Sequence, residues 1–193
     1  MPEITAQYIY GLYREYHVPQ KVVDHMIKVA KFSEKLCDKF IKKGYKINKN
    51  LVIQAALLHD LVRVADFKTI NLEKLNQKIT SKDLEKWIEL QEEYKEYGHG
   101  EAAYKILKSL NLKNVAALVR NHALKRIDDL KSWEEKILYY ADKRVEGAHV
   151  VRLKTRLKKI RKRAVSAGAP LNKMLKIEKK VFRLEREISS ALR

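Results

Sequence analysis

The chain carries an ordered series of imidazole and carboxylate side chains, each at or near the end of an apolar run with helical spacing. A polar group on a buried helical face costs free energy unless something pairs with it. Six such groups indicate a shared partner, and metal ions suit imidazoles and carboxylates together. The sequence therefore predicts a metal site built from several helices. The series is His25, His59, Asp60, His99, His122 and Asp142.

Composition favours helices almost throughout. The 193 residues include only six Gly and three Pro, and 46% are hydrophobic, which is enough for one domain with a core. We expect an all-α fold and a single domain over residues 1–193. It would divide into a metal-binding core of about 20–147 and a helical extension of about 148–193.

Apolar spacing and Gly or Pro breaks predict where the helices lie. The expected ranges are about 4–15, 19–43, 50–65, 82–96, 98–110, 112–123, 133–144, 148–164 and 171–192. Neighbouring helical residues point about 100° apart. His59 and Asp60 can therefore ligate together only near a helix end or across two metals. The acidic helix at about 82–96, within the more polar stretch 66–97, is expected to form a lid or outer wall.

The net charge of +18 is concentrated at one end of the chain. From Lys143 onward there are 17 Lys and Arg against four Glu, a field that attracts phosphate-bearing partners or anionic surfaces. The basic helix 152–163 could bind nucleic acid or acidic lipid. Its apolar positions recur every three to four residues, so we favour a helix with one packed face and one solvated face. An apolar stripe in the last helix, from Ile177 to Ala191, would suit a homodimer.

Cysteine usage and hydropathy indicate a soluble, cytoplasmic protein. Cys37 is the only cysteine, so no internal disulfide can form. No run of about 18 apolar residues exists that could span a membrane. The start, Met1 to Tyr10, lacks the pattern of a signal peptide.

The residues around the series resemble those of a known family. His25, Ala-Leu-Leu-His59-Asp60, Gly-His99-Gly, Asn-His122 and Tyr-Ala-Asp142-Lys-Arg-Val are together similar to the HD-domain metal-dependent phosphohydrolases. The resemblance is to the six-ligand, dinuclear version, covers about residues 20–150, and implies an HD helical bundle with two added basic C-terminal helices.

The resemblance implies roles for individual residues. His25, His59 and Asp142 would hold a first divalent ion, and Asp60 would bridge to a second held by His99 and His122. Iron or manganese is the expected metal. Asp60 would also have a catalytic role, since as the bridging ligand it would position the water that the two ions activate.

Each ligand also has a simpler interpretation on its own. A buried histidine is more often a hydrogen-bonded core residue, and His99, between two glycines, could be a turn residue. Lys143 or Arg144 could compensate Asp142 instead of a metal. The other two histidines, His17 and His149, fall outside the series and are interpreted as structural or surface residues.

One departure from the family pattern concerns the two residues after His-Asp. Many relatives have Ile-Gly there, whereas this chain has Leu61-Val62. Both replacements are apolar, so we expect the metal site to persist. Because glycine allows close backbone approach, Val62 is expected to narrow the pocket or alter the helix end.

Three basic residues are candidates for substrate binding. Arg63 lies one turn beyond His59, where its guanidinium would suit a phosphate. The alternative is an ion pair with the acidic helix at 83–96. Lys143 and Arg144 follow the last ligand and could reach either the pocket rim or nearby acids.

Three functions from different classes fit these features. The first is hydrolysis of a nucleotide or another small phosphoester, and the closest activity by resemblance is hydrolysis of dinucleoside polyphosphates. The second is a mixed-valent di-iron oxygenase of the same superfamily, which uses equivalent ligands. The third is a nucleic-acid-binding module built on the basic C-terminal helices.

Overall fold

The fold is all-α, as predicted, in a computed structural model that describes residues 4–67 and 78–193. Residues 1–3, at the start of the chain, and 68–77, within the polar stretch 66–97, lie outside the described residues. The helices are α1 (Ala6–Glu15), α2 (Gln20–Lys42), α3 (Lys49–Leu58), α4 (Ser81–Tyr94), α5 (His99–Ser109), α6 (Lys113–Asn121), α7 (Trp133–Arg144), α8 (Leu153–Ser166) and α9 (Leu171–Ala191).

Local sequence signals set several of the helix ends. The side chain of Asn48 caps α3, and reciprocal capping boxes begin α4 at Thr80 and α7 at Ser132. Gly44, with φ of +87°, follows the end of α2 in a conformation that favours glycine. The caps at Asn48 and Ser132 fix where α3 and α7 begin, and both helices lead to residues of the site.

The core is centred on α3, which packs against α2, α6 and α7. Val52, Ala55, Ala56 and Leu58 on α3 have no exposed surface, which explains why this helix is apolar on most sides. Its C-terminal end therefore opens into the middle of the surrounding helices. That end carries His59 and Asp60.

Two predicted boundaries are wrong. Helix α3 ends at Leu58 rather than near Ala65, because the chain turns at residues 59–62 and continues as a 3₁₀ turn, Arg63–Asp66. Helix α8 begins at Leu153 rather than near Ala148. The intervening residues form an antiparallel hairpin of β1 (Val145–Glu146) and β2 (His149–Val150), with Gly147 at φ of +56° in its turn.

The two C-terminal helices pack on the rest of the chain through α7. Leu153 and Leu157 of α8 are buried, so this helix has the packed face that its spacing predicts. On α9, Val181, Leu184 and Ile188 are also buried within the chain. The stripe that suggested a homodimer is thus largely covered by the protein itself. In the part of the chain that the structure describes, no helix combines the length and apolarity that crossing a bilayer requires.

Candidate metal centre

The six residues of the series meet at one place, where the ends of several helices converge. His25 lies in the first half of α2, His59 is the C-cap of α3 with Asp60 next to it, and His99 is the first residue of α5. His122 is the C-cap of α6, and Asp142 lies near the end of α7. All but His59 line a cavity of about 230 Å³, while His59 is fully buried beside it.

One group of ligand-type atoms consists of His25, His59 and Asp142. Asp142 Oδ1 lies 3.2 Å from His25 Nε2 and 3.7 Å from His59 Nε2. Atoms that share an ion at about 2.0–2.2 Å lie about 3–4 Å apart. The spacing of this buried group therefore suits a metal ion.

A second group surrounds Asp60. His59, Asp60 and His122 offer atoms that all lie within 4.8 Å of one another. His99 Nε2 completes this group, 3.1 Å from Asp60 Oδ1 and 3.0 Å from His122 Nε2. His99 therefore belongs to the site and is more than a turn residue between Gly98 and Gly100.

The two oxygens of Asp60 face opposite sides of the site. Oδ1 is turned toward His99 and His122, at 3.1 and 3.7 Å. Oδ2 is turned toward His59 and His25, at 3.7 and 4.0 Å. A carboxylate in this position could serve both groups at once.

The other ring nitrogen of each histidine is already engaged. The Nδ1 atoms of His25, His59 and His122 donate to the carbonyl oxygens of Gly147, Ala56 and Val119. His99 Nδ1 bonds to the carboxylate of Asp66. With the proton on Nδ1, each neutral ring directs the Nε2 lone pair at the carboxylates, which is the orientation of a metal ligand.

His59 provides the sharpest test of whether a metal fits. Its Nε2 has no exposed surface and no hydrogen-bond partner among the described residues, although two carboxylate oxygens lie 3.7 Å away. A buried polar atom without a partner is costly. A cation between His59 and the carboxylates would satisfy it, so the residues present fit a metal.

Both carboxylates are held in the ionised form. Burial would raise the pKa of Asp60, but the nearby His59 and His99 outweigh it and hold that pKa well below its usual range. Burial likewise opposes ionisation of Asp142, and the adjacent Lys143 ammonium overcomes it, so the pKa is again well below its usual range. The site therefore presents negative charge to a cation.

Burial and the nearby carboxylates act in opposite directions on the pKa of His59, His99 and His122, and the outcome differs among these histidines. Burial lowers the pKa of His122 to about 4, so this ring stays neutral and available as a ligand at neutral pH. Burial also opposes protonation of His59 and His99, but Asp60 outweighs it and raises the pKa of both. Positive charge is therefore favoured between these rings and the carboxylate, whether it is supplied by protons or by metal.

Arg63 lines the cavity, but its partner is not the acidic helix that the sequence offered as an alternative. Its guanidinium forms an ion pair with Asp66 at 3.1 Å and contacts the ring of His99. Asp66 also accepts the backbone N–H of His99, and the pKa of its carboxyl is lowered because contacts with His99 outweigh burial. Sequence reasoning missed Asp66, which orients both Arg63 and His99.

Lys143 and Arg144 have different positions. Lys143 is buried at the cavity wall, where it donates to Asp142 and, at 3.0 Å, to the carbonyl oxygen of His122. Arg144 points away and donates to Val151 O and Tyr140 Oη, with Glu185 3.7 Å from it. The structure therefore brings Lys143 to the site and does not bring Arg144 there.

Val62 and the two remaining histidines lie apart from the cavity. Val62 is fully buried in the core and is not among the residues that line the cavity, so it does not narrow it directly. His17 forms an ion pair with Asp83 at 2.7 Å, and His149 is exposed in the hairpin. Both histidines have the structural or surface positions predicted for them.

Helix α8 supplies part of the cavity wall, which the sequence interpretation missed. Arg156, Ile160 and Arg163 line the same cavity as the histidines. Their spacing of four and three residues places them on one face of α8. That spacing was visible in the sequence, but several other cations on the same helix concealed it.

Residues 22–147 match the HD domain family, and because this is more than half of the chain, the protein belongs to that family. The matched range includes all six residues of the series and ends before α8. No curated protein and no solved structure matches the chain. Members of this family are metal-dependent hydrolases as a class, which agrees with a centre of buried histidines and aspartates.

Proposed function

We propose that the protein is a metal-dependent phosphohydrolase that hydrolyses a nucleotide or another small phosphoester at a dinuclear centre. The observation that carries the proposal is the position of Asp60, whose Oδ1 faces His99 and His122 and whose Oδ2 faces His25 and His59. His25, His59 and Asp142 would hold one ion, and His99 and His122 the other. Iron and manganese are the expected metals.

Bound divalent ions would supply positive charge that polarises a phosphoryl oxygen and lowers the pKa of water. The chain contributes the arrangement around them. Asp60 would bridge the ions, and its neighbours would fix the orientation of each ligand. Lys143 holds Asp142 in place through its ammonium group. Arg63, at the cavity wall, would contact a phosphate oxygen from the side of His99.

The positively charged side chains that line the cavity favour phosphate hydrolysis over the oxygenase alternative. The same six ligands could support oxidative chemistry, since the difference between the two reactions depends on surrounding groups and substrate. Here Arg63, Lys143, Arg156 and Arg163 all line the cavity. Guanidinium groups bind phosphate oxygens in a bidentate manner, which suits a phosphorylated substrate.

The test is phosphate release by the protein loaded with Mn²⁺ or, without oxygen, with Fe²⁺. The panel would include nucleoside mono-, di- and triphosphates, dinucleoside polyphosphates and p-nitrophenyl phosphate. We expect hydrolysis of at least one compound, about two metal equivalents per chain by elemental analysis, and a loss of activity of about 100-fold or more in Asp60→Asn.

The control is His149→Ala, which removes an exposed imidazole outside the cavity and should keep both metal content and activity. Absence of phosphate release with either metal would contradict the proposal. Oxygen consumption by the iron-loaded protein with a polyol or phosphonate, without hydrolysis, would favour the oxygenase instead.

A further inference from the structure

Helix α8 lies outside the residues that match the HD domain family, yet it contributes three residues to the lining of the cavity. It contributes Arg156 and Arg163 to the lining, with Ile160 between them. The two guanidinium groups thus face the same space as the histidines and aspartates of the centre. These lining residues therefore come from the helices that follow the family domain, and not from the domain itself.

Arg156 is poorly satisfied within the protein. Its Nε is buried and has no hydrogen-bond partner among the described residues, and the nearest carboxylate oxygen, on Glu146, is 3.8 Å from Nη1. Glu146 is bonded more closely to Lys159, at 2.8 Å. Because Nε is shielded from the cavity, it is the Nη groups, whose nearest carboxylate oxygen is 3.8 Å away, that can donate to an anion in the cavity.

Arg163 adds a second cation to the same side of the cavity. In residues 4–67 and 78–193, no carboxylate lies within 4.0 Å of its guanidinium. Arg163 is exposed at the surface, and partial desolvation of its guanidinium together with the neighbouring Arg156 lowers its pKa, because like charges repel each other. An anion between them would relieve that repulsion.

The shape and lining of the cavity narrow the kind of anion. Its volume of about 230 Å³ is below the roughly 300–1,000 Å³ of pockets that enclose a whole organic ligand. Half of its twelve lining residues are charged and three are histidines, with Ala123, Leu124 and Ile160 as the apolar members. Such a space suits phosphate groups, while the remainder of a larger substrate would extend outside.

We propose that Arg156 and Arg163 form an anion subsite that holds a second phosphate group of the substrate, next to the phosphate at the metal centre. The substrate class is then a compound with two or more linked phosphates, which the protein binds in preference to a monoester. This inference rests on the proposed phosphohydrolase function, since it assigns the metal centre to the phosphate that reacts.

The test measures binding rather than turnover. Methylenediphosphonate carries two linked phosphonates that water cannot separate, and methylphosphonate carries one. Both would be titrated calorimetrically into the Mn²⁺-loaded protein with free Mn²⁺ held constant. We expect the diphosphonate to bind at least about tenfold more tightly, and Arg156→Gln and Arg163→Gln each to weaken it about tenfold.

Lys158→Gln is the matched control, because it removes one charge from an exposed position on the opposite face of α8. It should bind the diphosphonate as the wild type does. Arg156→Lys keeps the charge but loses the planar fork, and should fall between the wild type and Arg156→Gln. Thermal melting of each variant verifies that it is folded.

Equal binding of the diphosphonate by the wild type, Arg156→Gln and Arg163→Gln would overturn the subsite, as would an equal loss in Lys158→Gln. The outcomes separate the two proposals. If phosphate release occurs but diphosphonate binding ignores both arginines, the hydrolase stands and the subsite is wrong. If binding depends on both arginines but no phosphoester is hydrolysed, the two arginines form an anion subsite, while the hydrolase and the substrate class assigned with it are wrong.

Discussion

The Nε2 atoms of His99 and His122 lie 3.0 Å apart, although each ring uses its Nδ1 for another contact. Two neutral rings with protons on Nδ1 would point lone pairs at each other across this distance. A cation at the meeting point, beside Asp60 Oδ1, or a proton on one Nε2 that donates to the other ring makes the arrangement favourable. A small displacement of either ring would therefore disturb the contact between the two Nε2 atoms and the place between them for a cation.

Gly100→Ala should disturb this pair directly. A Cβ at Gly100 would lie 3.2 Å from His122 Cε1, closer than ordinary contact. The His122 ring is buried and bonded to Val119 O, so it cannot move away freely. We expect the second metal to bind about tenfold more weakly, measured by competition with a chromophoric chelator.

Gly98→Ala is the matched control, since nothing lies within 4 Å of the Cβ it would add. Gly98 is the N-cap of α5 and Gly100 is the second residue of that helix, so both changes lie in the same segment. Equal metal affinity in Gly100→Ala and the wild type would show that His122 has room to adjust, and the argument from crowding would be wrong.

Asp66→Asn should also weaken the second metal. The Asp66 carboxylate accepts from the ring and the backbone N–H of His99, and it pairs with Arg63. An amide can keep one of these contacts but loses the charge that orients the ring. Loss of such a partner typically costs about 10–100-fold in metal affinity, and the same chelator competition measures it.

Asp38→Asn is the control for this change, because Asp38 is an exposed carboxylate that pairs with Lys49 far along α2. It should leave metal affinity as in the wild type. If Asp66→Asn bound both metals with wild-type affinity, Asp66 would have no part in orienting His99.

The convergence of the six ligand-type residues could be predicted from the sequence because they mark the ends of apolar helical stripes in a fixed order. The pattern could not predict the backbone geometry next to the site, in particular where α3 ends. Apolar residues continue past Asp60 to Ala65, so the periodicity predicted a longer helix. The chain instead leaves the helix at His59, which allows the adjacent Asp60 to turn into the same cavity.

The cations around the site show a second limit of sequence interpretation. Arg144 was expected near the pocket because it follows Asp142 closely, but successive helical residues point in different directions, and Tyr140 and Glu185 bind it elsewhere. Arg156 and Arg163 lie within a basic run that has the usual appearance of a solvated face. Only the packing of α8 against α7 identifies which of these cations face the cavity.

Metal should stabilise the folded protein, because the unfolded chain cannot bring together ligands from helices α2 to α7. A metal at 100 times its dissociation constant contributes about 2.7 kcal/mol. For a chain of this size, we expect the Tm to rise by about 5–10 °C on loading. Differential scanning calorimetry of protein treated with a chelator and then reloaded with Mn²⁺ measures this change.

The His149→Ala variant should show the same rise in Tm as the wild type, since its imidazole is outside the centre. His59→Ala removes an atom that both groups share and should show a clearly smaller rise. A Tm that does not respond to metal in the wild type would contradict a buried metal centre.

Glu135 should make the stability of the metal-free protein depend on pH. It closes the capping box of α7 and accepts from the backbone N–H groups of Lys131 and Ser132 and from the side chain of Asn121. Burial opposes ionisation, but these bonds, those of Ser132 and Lys131 first, lower the pKa of Glu135 below its usual 4.5. The ionised form is thus favoured by folding.

Because the pKa is lower in the folded state, this contribution is complete above about pH 4.5 and is lost as the pH falls through the lowered value. Glu135→Gln should therefore reduce the free energy of unfolding by about 1–2 kcal/mol at about pH 7. Near pH 3.5 the difference should shrink, since a protonated glutamate resembles glutamine. Urea denaturation in the presence of a chelator measures both values.

Glu92→Gln is the control for this titration, because Glu92 is exposed and pairs only with exposed Lys95, at 3.5 Å, among the described residues. Its effect should stay within about 0.5 kcal/mol at both pH values. A difference between Glu135→Gln and the wild type that stays the same from neutral to acid pH would mean that shape, and not charge, is what the cap requires. Glu135 is close to the metal centre along the chain, because its helix α7 carries Asp142 and its partner Asn121 precedes His122. That result would show that the charge of Glu135 has no effect on the centre's electrostatics.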